Sequence, residues 1–328
     1  MKIGTYWDSS SQHGSSERVA IFLGEELVDP LEALAANAPE RDFFTGPLAF
    51  IVSGAAGRSA AERIVANAPA RARKRLGEVA LGAPLRPATI LCSGSNYRDH
   101  NSEKANTPIS GKEPEFFVKT ADCVVASGEP IIHDERLSMK LDCETELAIV
   151  IGKPGRFIAR EHALDHVFGY TIVNDVTARD RQVRRTPEGT VWYELGRGKV
   201  FESSAPIGPW IVTADEIGDP QKLRLKTRIN GELRQSSTTA NMIWSCADLI
   251  HFFSVNMMLR PGTVIITGTP SGTAWSTDRE LGGKWLGGKG PDGEPLIPAT
   301  RYCLPGDQIE SELERIGVLR NTVTAYRG

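Results

Sequence analysis

Short apolar segments separated by turn residues dominate the first part of the chain. Residues 1–30 contain three of them, KIGTYW, RVAIFLG and ELVDP, and this alternation predicts a small β-meander. Residues 57–76 have a composition typical of a helix, and the segment ends in four basic residues, Arg71, Arg73, Lys74 and Arg75. Cations are favourable near the C-terminus of a helix, so we interpret this cluster as a solvated helix end rather than as a docking site for an acidic partner.

From residue 88 onward the pattern predicts mainly buried strands. Five single strands are predicted over residues 88–94, 115–120, 146–153, 168–175 and 263–269. Two hairpins are predicted over residues 223–237, where Asn230-Gly231 suits a type I′ turn, and over residues 308–326. An amphipathic helix is predicted over residues 245–259, before Arg260, Pro261 and Gly262, and a short helix around residues 161–166.

Many strands, few helices and no βα periodicity indicate a β-rich α+β fold rather than a Rossmann fold or an α/β barrel. The stretch GAPLRP at 82–87 is typical of a linker. We therefore predict a small N-terminal domain over 1–85 and a second domain over 86–328. A Gly/Pro-rich insertion at 275–301 interrupts the second domain.

Composition narrows the classes of protein and of partner. The 328 residues carry 38 Lys and Arg against 41 Asp and Glu, which gives a net charge of -3. This charge does not predict binding to nucleic acid or to an anionic membrane. Five widely spaced cysteines without a CxxC motif argue against a disulfide framework and a zinc-thiolate site. No apolar run approaches 18 residues and the N-terminus has no signal-peptide pattern, so we expect a cytoplasmic protein.

Three acidic residues form the first candidate site. Glu144 and Glu146 precede the apolar run LAIVIG, and residues two apart in a strand point to the same face. Asp175 stands at the end of another predicted strand, where an acid either lines a cleft or caps a helix. If these carboxylates are buried together, they need a metal or basic partners, and an all-oxygen set favours Mg²⁺ or Mn²⁺. A solvent-facing strand is the alternative.

A histidine and a glutamate form the second candidate site. His100 and Glu103 are three residues apart and would share one face of a helix. A carboxylate beside an imidazole raises its basicity, which is what a water-activating base requires. A solvent-exposed pair is the alternative. The segment Thr267–Gly272, which reads TGTPSG, could approach a ligand closely and offer hydroxyl donors, and it lacks the lysine of a phosphate-binding loop.

The order and wording of the motifs resemble the fumarylacetoacetate hydrolase family over residues 86–326. The resemblance is carried by GSNYRDHNSE, PEFFVKT, LDCETELAIVIGK, GYTIVNDVTARDRQ, RGKVFESSAPIGPW, NGELRQ, TGTPSG and LPGDQIESELERIGVLRN. It implies a mixed β-roll core with a small N-terminal α/β subdomain, a homodimer, and a small keto acid as substrate. Two segments depart from the family pattern, 183–198 and 275–301, and both could shape the substrate pocket.

The resemblance also implies roles for individual residues. The family's three metal ligands match Glu144, Glu146 and Asp175, which would hold Mg²⁺ or Mn²⁺, with Ca²⁺ as an alternative occupant of the isolated protein. The catalytic groups match His100 and Glu103 on a lid helix, together with Lys119 and Lys199. The substrate contacts match Arg179, Gln182 and Thr269.

These roles predict a metal-dependent hydrolase that cleaves a carbon–carbon bond in an acylpyruvate-like 1,3-diketo acid, in the catabolism of aromatic or sugar-acid compounds. The metal would act as a Lewis acid, and His100 with Glu103 would activate water. Relatives that decarboxylate oxaloacetate-like acids, or that isomerise or hydrate unsaturated keto acids, provide the alternative activities. A catalytically silent keto-acid-binding protein is the alternative outside enzymes.

Overall fold

Strands make up most of the regular structure in this computed structural model, which describes residues 1–8, 16–103 and 112–327. The strands of the described residues are β1 Lys2–Asp8, β2 Ser16–Leu23, β3 Glu26–Val28, β4 Arg73–Arg75, β5 Ala80–Leu81, β6 Ile90–Gly94, β7 Glu115–Lys119, β8 Val124–Val125, β9 Ile131–His133, β10 Leu141–Asp142, β11 Thr145–Ile151, β12 Val167–Asn174, β13 Thr177–Ala178, β14 Val183–Arg185, β15 Val191–Tyr193, β16 Ala205–Thr213, β17 Arg224–Ile229, β18 Glu232–Thr238, β19 Val264–Ile266, β20 Gln308–Leu313 and β21 Gly317–Ala325.

The α-helices are short, apart from two. In the described part of the chain they are α1 Pro30–Ala33, α2 Pro47–Asn67, α3 Arg98–Ser102, α4 Arg179–Gln182, α5 Leu195–Lys199, α6 Ala214–Ile217 and α7 Cys246–Asn256. Single 3₁₀ turns join several elements, among them Arg160–His166 and Ala274–Thr277. None of the described helices is long and apolar enough to cross a membrane.

A large mixed sheet runs through the molecule in the order β4-β3-β2-β1-β16-β12-β11-β19-β6-β7, with β5 beside β1 and β8 beside β16. Its middle strands are covered on both faces, and every residue of β11 is buried. This explains the continuous apolar run of β11, because a strand buried on two faces does not alternate with polar residues. The β-rich α+β fold expected from the sequence is confirmed.

A second sheet, in the order β18-β17-β20-β21-β9, packs against the first. Buried hydroxyls join the two sheets, since Thr227 Oγ1 donates to Thr145 Oγ1 over 2.6 Å and Thr145 Oγ1 donates to Ser311 Oγ over 2.8 Å. Both predicted hairpins lie in this second sheet, as β17–β18 and β20–β21. Asn230 and Gly231 have the positive φ angles that a type I′ turn requires.

The first 85 residues are joined to the rest of the chain through the large sheet, because β1 pairs with β16 at Ile3 and Ile211. The predicted helix over 57–76 is wrong at its C-terminal end. Helix α2 is broken at Gly54, so its second part starts close to the predicted residue 57, and it ends before Ala68, which the following proline holds in an extended conformation. Of the basic residues beyond it, Arg73, Lys74 and Arg75 form the edge strand β4, where Arg73 pairs with Glu26.

The strand directions bring four chain segments to one edge of the large sheet. Strands β11 and β12 are antiparallel, so the start of β11 lies beside the end of β12, with Thr145 opposite Asn174. Strand β19 is antiparallel to β11 and parallel to β6, so the segments after β19 and β6 emerge at the same edge. Glu144, Asp175, the segment from Thr267 and helix α3 are therefore neighbours.

We predict that the central strand β11 carries much of the stability. Ile149→Ala removes a fully buried side chain and should lower the free energy of unfolding by about 2–5 kcal/mol. The control Ile297→Ala truncates the same residue type at a 40% exposed position and should cost less than about 1 kcal/mol. Equilibrium unfolding in guanidinium chloride measures both, and an equal loss in the two variants would contradict the packing described here.

Candidate functional site

Three buried carboxylates meet at this edge of the sheet. Glu144, Glu146 and Asp175 each offer an oxygen within 4.8 Å of the others, and no more than 4% of any of the three residues is exposed. The alternation Glu144-Thr145-Glu146 places both glutamates on one face of the chain, and the backbone N–H of Asp175 donates to the carbonyl of Glu144 over 2.8 Å. The structure therefore brings together the three acids that the sequence singled out.

Basic side chains compensate two of these acids. Lys199 Nζ lies 2.5 Å from Glu144 Oε2 and 2.6 Å from Asp175 Oδ2, so one ammonium bridges two carboxylates. Arg179 Nη2 donates to Glu144 Oε1 over 2.5 Å. Glu146 is different, because within the described residues it forms no ion pair and accepts only the N–H of Gly268, at 2.7 Å.

The pKa values follow this uneven compensation. Burial alone would raise the pKa of Glu144, but the positive charges of Arg179 and Lys199 outweigh it and hold that pKa below its usual range. Burial, together with the negative charges of Asp175 and Glu144, raises the pKa of Glu146 well above its usual range. Burial would lower the pKa of Lys199, and the two carboxylates that it bridges raise it to about 12.

The donor set fits a hard divalent cation. All three candidate ligands are carboxylates, the ligands that Mg²⁺ and Mn²⁺ prefer. Asp175 Oδ1 is buried and accepts no hydrogen bond, although Lys119 Nζ lies 2.9 Å away. Glu146, which has no basic partner among the described residues, is the carboxylate whose charge a bound cation would compensate.

His100 and Glu103 form a pair beside these acids. His100 Nδ1 lies 3.3 Å from Glu103 Oε2, and helix α3 gives them the shared face that the spacing predicted. Glu103 Oε1 accepts the N–H of Gly272 over 3.0 Å. Burial raises the pKa of Glu103 to about 8, and the Gly272 hydrogen bond offsets part of that rise. The buried Glu103 carboxyl therefore keeps its proton to a higher pH than an exposed glutamate would.

A cleft with an empty volume of about 540 Å³ lies over the acids. Eight of the ten candidate residues line it, namely His100, Glu144, Glu146, Asp175, Arg179, Gln182, Lys199 and Thr269. Glu103 lies behind His100, and Lys119 lies behind Asp175. The predicted lid helix carries His100 and Glu103, and residues 104–111, which follow it, lie outside the described residues.

Lys119 is held by the protein rather than directed into the cleft. Its ammonium donates to the carbonyl of Lys199 and, over 2.8 Å, to the carbonyl of Ser204, and it is fully buried. It therefore fixes the backbone of the neighbouring lysine and adds positive charge behind Asp175. The sequence motif located this residue beside the site and could not give the direction of its side chain.

Sequence reasoning missed Asp142, which organises the cleft from behind. Its carboxylate accepts Arg179 Nε over 2.8 Å and the backbone N–H groups of Cys143, Ala274 and Trp275 over 2.9–3.0 Å. It is 1% exposed. The alternation Asp142, Glu144, Glu146 was a signal that could have found it, because all three point to one side of an extended chain.

Two more residues that the sequence did not indicate complete the walls. The amide of Gln235 donates to Thr269 Oγ1 over 2.9 Å and fixes that hydroxyl, which in turn donates to the carbonyl of Thr145 over 3.1 Å. Trp275 lines the cleft beside His100. Gln235 ends the motif NGELRQ and Trp275 begins the insertion at 275–301, but the sequence could not give either residue a role, since each reaches the site through contacts with distant segments.

Comparison with known proteins agrees with this geometry. Residues 89–324 match the family model of the fumarylacetoacetate (FAA) hydrolase C-terminal domain. The chain is 39% identical over 250 residues to oxaloacetate tautomerase YisK of Bacillus subtilis, covering 76% of this chain and 74% of that protein. It is 37% identical over 276 residues to human mitochondrial oxaloacetate tautomerase FAHD2A, covering 84% and 78% of the two chains.

Solved structures give the same result for the fold. Fumarylacetoacetate hydrolase from Exiguobacterium antarcticum superposes with a TM-score of 0.74 at 32% identity, over 99% of this chain and 100% of that one. Maleylpyruvate hydrolase from Sphingobium sp. SYK-6, in complex with manganese(II) and pyruvate, superposes with a TM-score of 0.71 at 25% identity, over 100% of both chains. The chain belongs to the fumarylacetoacetate hydrolase family.

Proposed function

We propose that the protein is a divalent-metal-dependent enzyme that interconverts the enol and keto forms of a short β-keto diacid such as oxaloacetate. The observation that carries this proposal is the position of the His100–Glu103 pair, which lies beside the three-carboxylate cluster with the imidazole facing the cleft. A keto–enol conversion asks for one proton transfer between oxygen and carbon, and it needs no nucleophile.

The similarity to known enzymes supports the substrate. The bacterial and human relatives at 37–39% identity both carry the name oxaloacetate tautomerase. The hydrolases among the compared structures are less similar in sequence, at 25–32%. Acids outnumber bases in the cleft lining, so the cleft would attract a β-keto diacid only with a divalent cation bound between the acids, and Lys199 and Arg179 would then add to that attraction.

In this proposal different residues bind the metal, transfer the proton and orient the imidazole. Glu144, Glu146 and Asp175 would hold the divalent cation, which when bound would supply Lewis acidity toward the keto acid. His100 takes the proton from the enol hydroxyl and delivers it to the neighbouring carbon, and the reverse transfer forms the enol. Glu103 fixes the orientation of the imidazole and shares its proton.

The remaining candidates bind and orient the substrate. Arg179 and Gln182 form a hydrogen-bonded pair, at 3.0 Å between Arg179 Nη1 and Gln182 Oε1, and both line the cleft where the distal carboxylate would lie. Thr269 offers a fixed hydroxyl on the opposite side, next to the Gly268 N–H that holds Glu146. Lys199 keeps positive charge beside the acids.

Hydrolysis of an acylpyruvate is the second candidate, because the same pair could activate a water molecule. It is favoured by the fold of maleylpyruvate hydrolase from Sphingobium, which matches 99% of this chain with a TM-score of 0.72 at 26% identity. A screen of purified protein with enol-oxaloacetate and acylpyruvates, in Mg²⁺ or Mn²⁺, separates the two. A higher kcat/KM for acylpyruvate cleavage than for tautomerisation would make hydrolysis the main activity.

The metal is tested by binding and by removal. Glu146→Gln should weaken Mn²⁺ affinity at least about tenfold, because a neutral amide is a poorer ligand for a hard cation. Glu161→Gln, at an exposed position, is the control and should bind as wild type does. Titration calorimetry measures both affinities.

Removal of the metal is a second test. EDTA should abolish tautomerisation and Mg²⁺ or Mn²⁺ should restore it, so full activity in metal-free protein would refute the role of the cation.

The His100–Glu103 pair is tested by comparing two reactions. His100→Ala should reduce tautomerisation by about 10²–10⁴, the usual effect of losing a positioned acid–base group. Any oxaloacetate decarboxylation should fall much less, since carbon dioxide leaves without a proton transfer to carbon in the same step. His162→Ala is the control, because His162 and Asp165 have the same i, i+3 spacing on a solvent-exposed turn. Unchanged tautomerisation in His100→Ala would exclude the proposed relay.

The pH dependence follows from the raised pKa of Glu103. Below pH 8 its carboxyl holds a proton, so the imidazole loses the negative charge that supports proton uptake. The kcat/KM for tautomerisation should therefore fall as pH drops below about 8 and level off above it. Glu103→Gln, which cannot ionise, should be slower and should lose this inflection. An inflection that persists unchanged in the variant would assign it to another group.

A further inference from the structure

The Gly/Pro-rich segment 275–301 begins with a tryptophan that contacts two functional residues. The ring centroids of Trp275 and His100 are 5.8 Å apart, and the rings meet edge to face at 61°. The guanidinium carbon of Arg179 lies over the same indole, 5.9 Å from its centroid. One aromatic ring therefore contacts both the His100 imidazole and the Arg179 guanidinium.

The indole is fixed at two points. Trp275 Nε1 donates to the carbonyl of Leu281 over 3.1 Å, and the backbone N–H of Trp275 donates to Asp142 Oδ2 over 3.0 Å. The residue is 2% exposed. Because Asp142 also accepts Arg179 Nε, the tryptophan backbone and the guanidinium share one carboxylate as their anchor. The indole is thus held rigidly against a positioned arginine.

The segment 275–301 also holds the backbone of Glu103, the partner of His100. The N–H of Lys284 donates to the carbonyl of Glu103 over 2.8 Å. Gly283 closes the turn between Trp275 and Lys284, because its N–H donates to the carbonyl of Asp278. Gly283 also lies so close to the Trp275 carbonyl that a side chain would not fit there. Asp278 is anchored in turn by Lys140 and by the hydroxyl of Tyr302.

We propose that Trp275 is a positioning and specificity-determining residue, which holds His100 and Arg179 at a fixed separation and limits the cleft to short acids. Trp275 lines the cleft, so its indole limits the volume that a longer acyl substituent could occupy on that side. The length limit deepens the proposed function and rests on it, whereas the positioning of helix α3 does not. Small errors in the placement of a proton-transfer group are costly, since about 1 Å can reduce a rate by about 10².

The positioning is tested without any substrate. Hydrogen–deuterium exchange, read by mass spectrometry, should show faster exchange of the amides of residues 98–103 in Trp275→Ala than in wild type, because helix α3 loses a packing partner. Helix α7 serves as the internal reference and should exchange as before. Trp192→Ala, which truncates a 42% exposed tryptophan of β15, is the matched control and should leave residues 98–103 unchanged.

The specificity is tested with two substrates. Trp275→Ala should lower kcat for enol-oxaloacetate by about tenfold to a hundredfold, and it should raise the ratio of kcat/KM for a long-chain acylpyruvate to that for oxaloacetate at least about tenfold. Trp275→Phe, which keeps an aromatic ring and loses the bond to Leu281, should recover most of kcat. The change in the substrate ratio separates positioning from a general loss of structure, because a general loss would lower kcat/KM for both substrates by the same factor.

The outcomes distinguish the two proposals. Local exchange at 98–103 together with the changed substrate ratio supports the role of Trp275. Unchanged exchange in Trp275→Ala, or faster exchange throughout the chain with an unchanged substrate ratio, overturns it. If wild-type protein acts on neither substrate, the proposed function and the length limit fail, and the exchange measurement alone decides whether Trp275 positions the pair.

Discussion

Charge compensation among buried carboxylates is the constraint on which the rest of the site depends. An ionised carboxylate costs several kcal/mol to remove from water, so three of them within 4.8 Å need positive charge close by. Lys199 bridges two of them, and Arg179 reinforces one. Glu146 is left with a backbone N–H. The compensation is therefore incomplete in the protein alone, and a divalent cation is the natural way to complete it.

Asp142 extends this constraint from the acids to the opposite wall of the cleft. It belongs to the segment that carries Glu144, and it accepts hydrogen bonds from both Arg179 and the backbone at Trp275. A displacement of Asp142 would move the arginine and the tryptophan together. The carboxylate cluster and the His100–Glu103 pair therefore form one mechanical unit, although they lie on segments far apart in the sequence.

The sequence was most informative where the chemistry is local. Glu144 and Glu146 share a face because a strand has a period of two, and His100 meets Glu103 because a helix has neighbours at i, i+3. The direction of Lys119 and the wall formed by Trp275 could not be predicted, since each depends on carbonyls or rings supplied by distant segments. The end of helix α2 was misplaced because a composition typical of helices does not show that Pro69 ends it, and the part of the helix before the break at Gly54 was missed.

Tautomerisation and hydrolysis ask nearly the same of this site, and the difference lies in what reaches His100. Both use its imidazole as a base next to a bound keto acid. Hydrolysis also needs a water molecule between the imidazole and the distal carbonyl, so the cleft must leave space there. The rings of Trp275 and His100 meet edge to face, and Trp275 is itself buried. We therefore expect the segment that begins at Trp275 to influence which of the two proposed reactions this cleft supports.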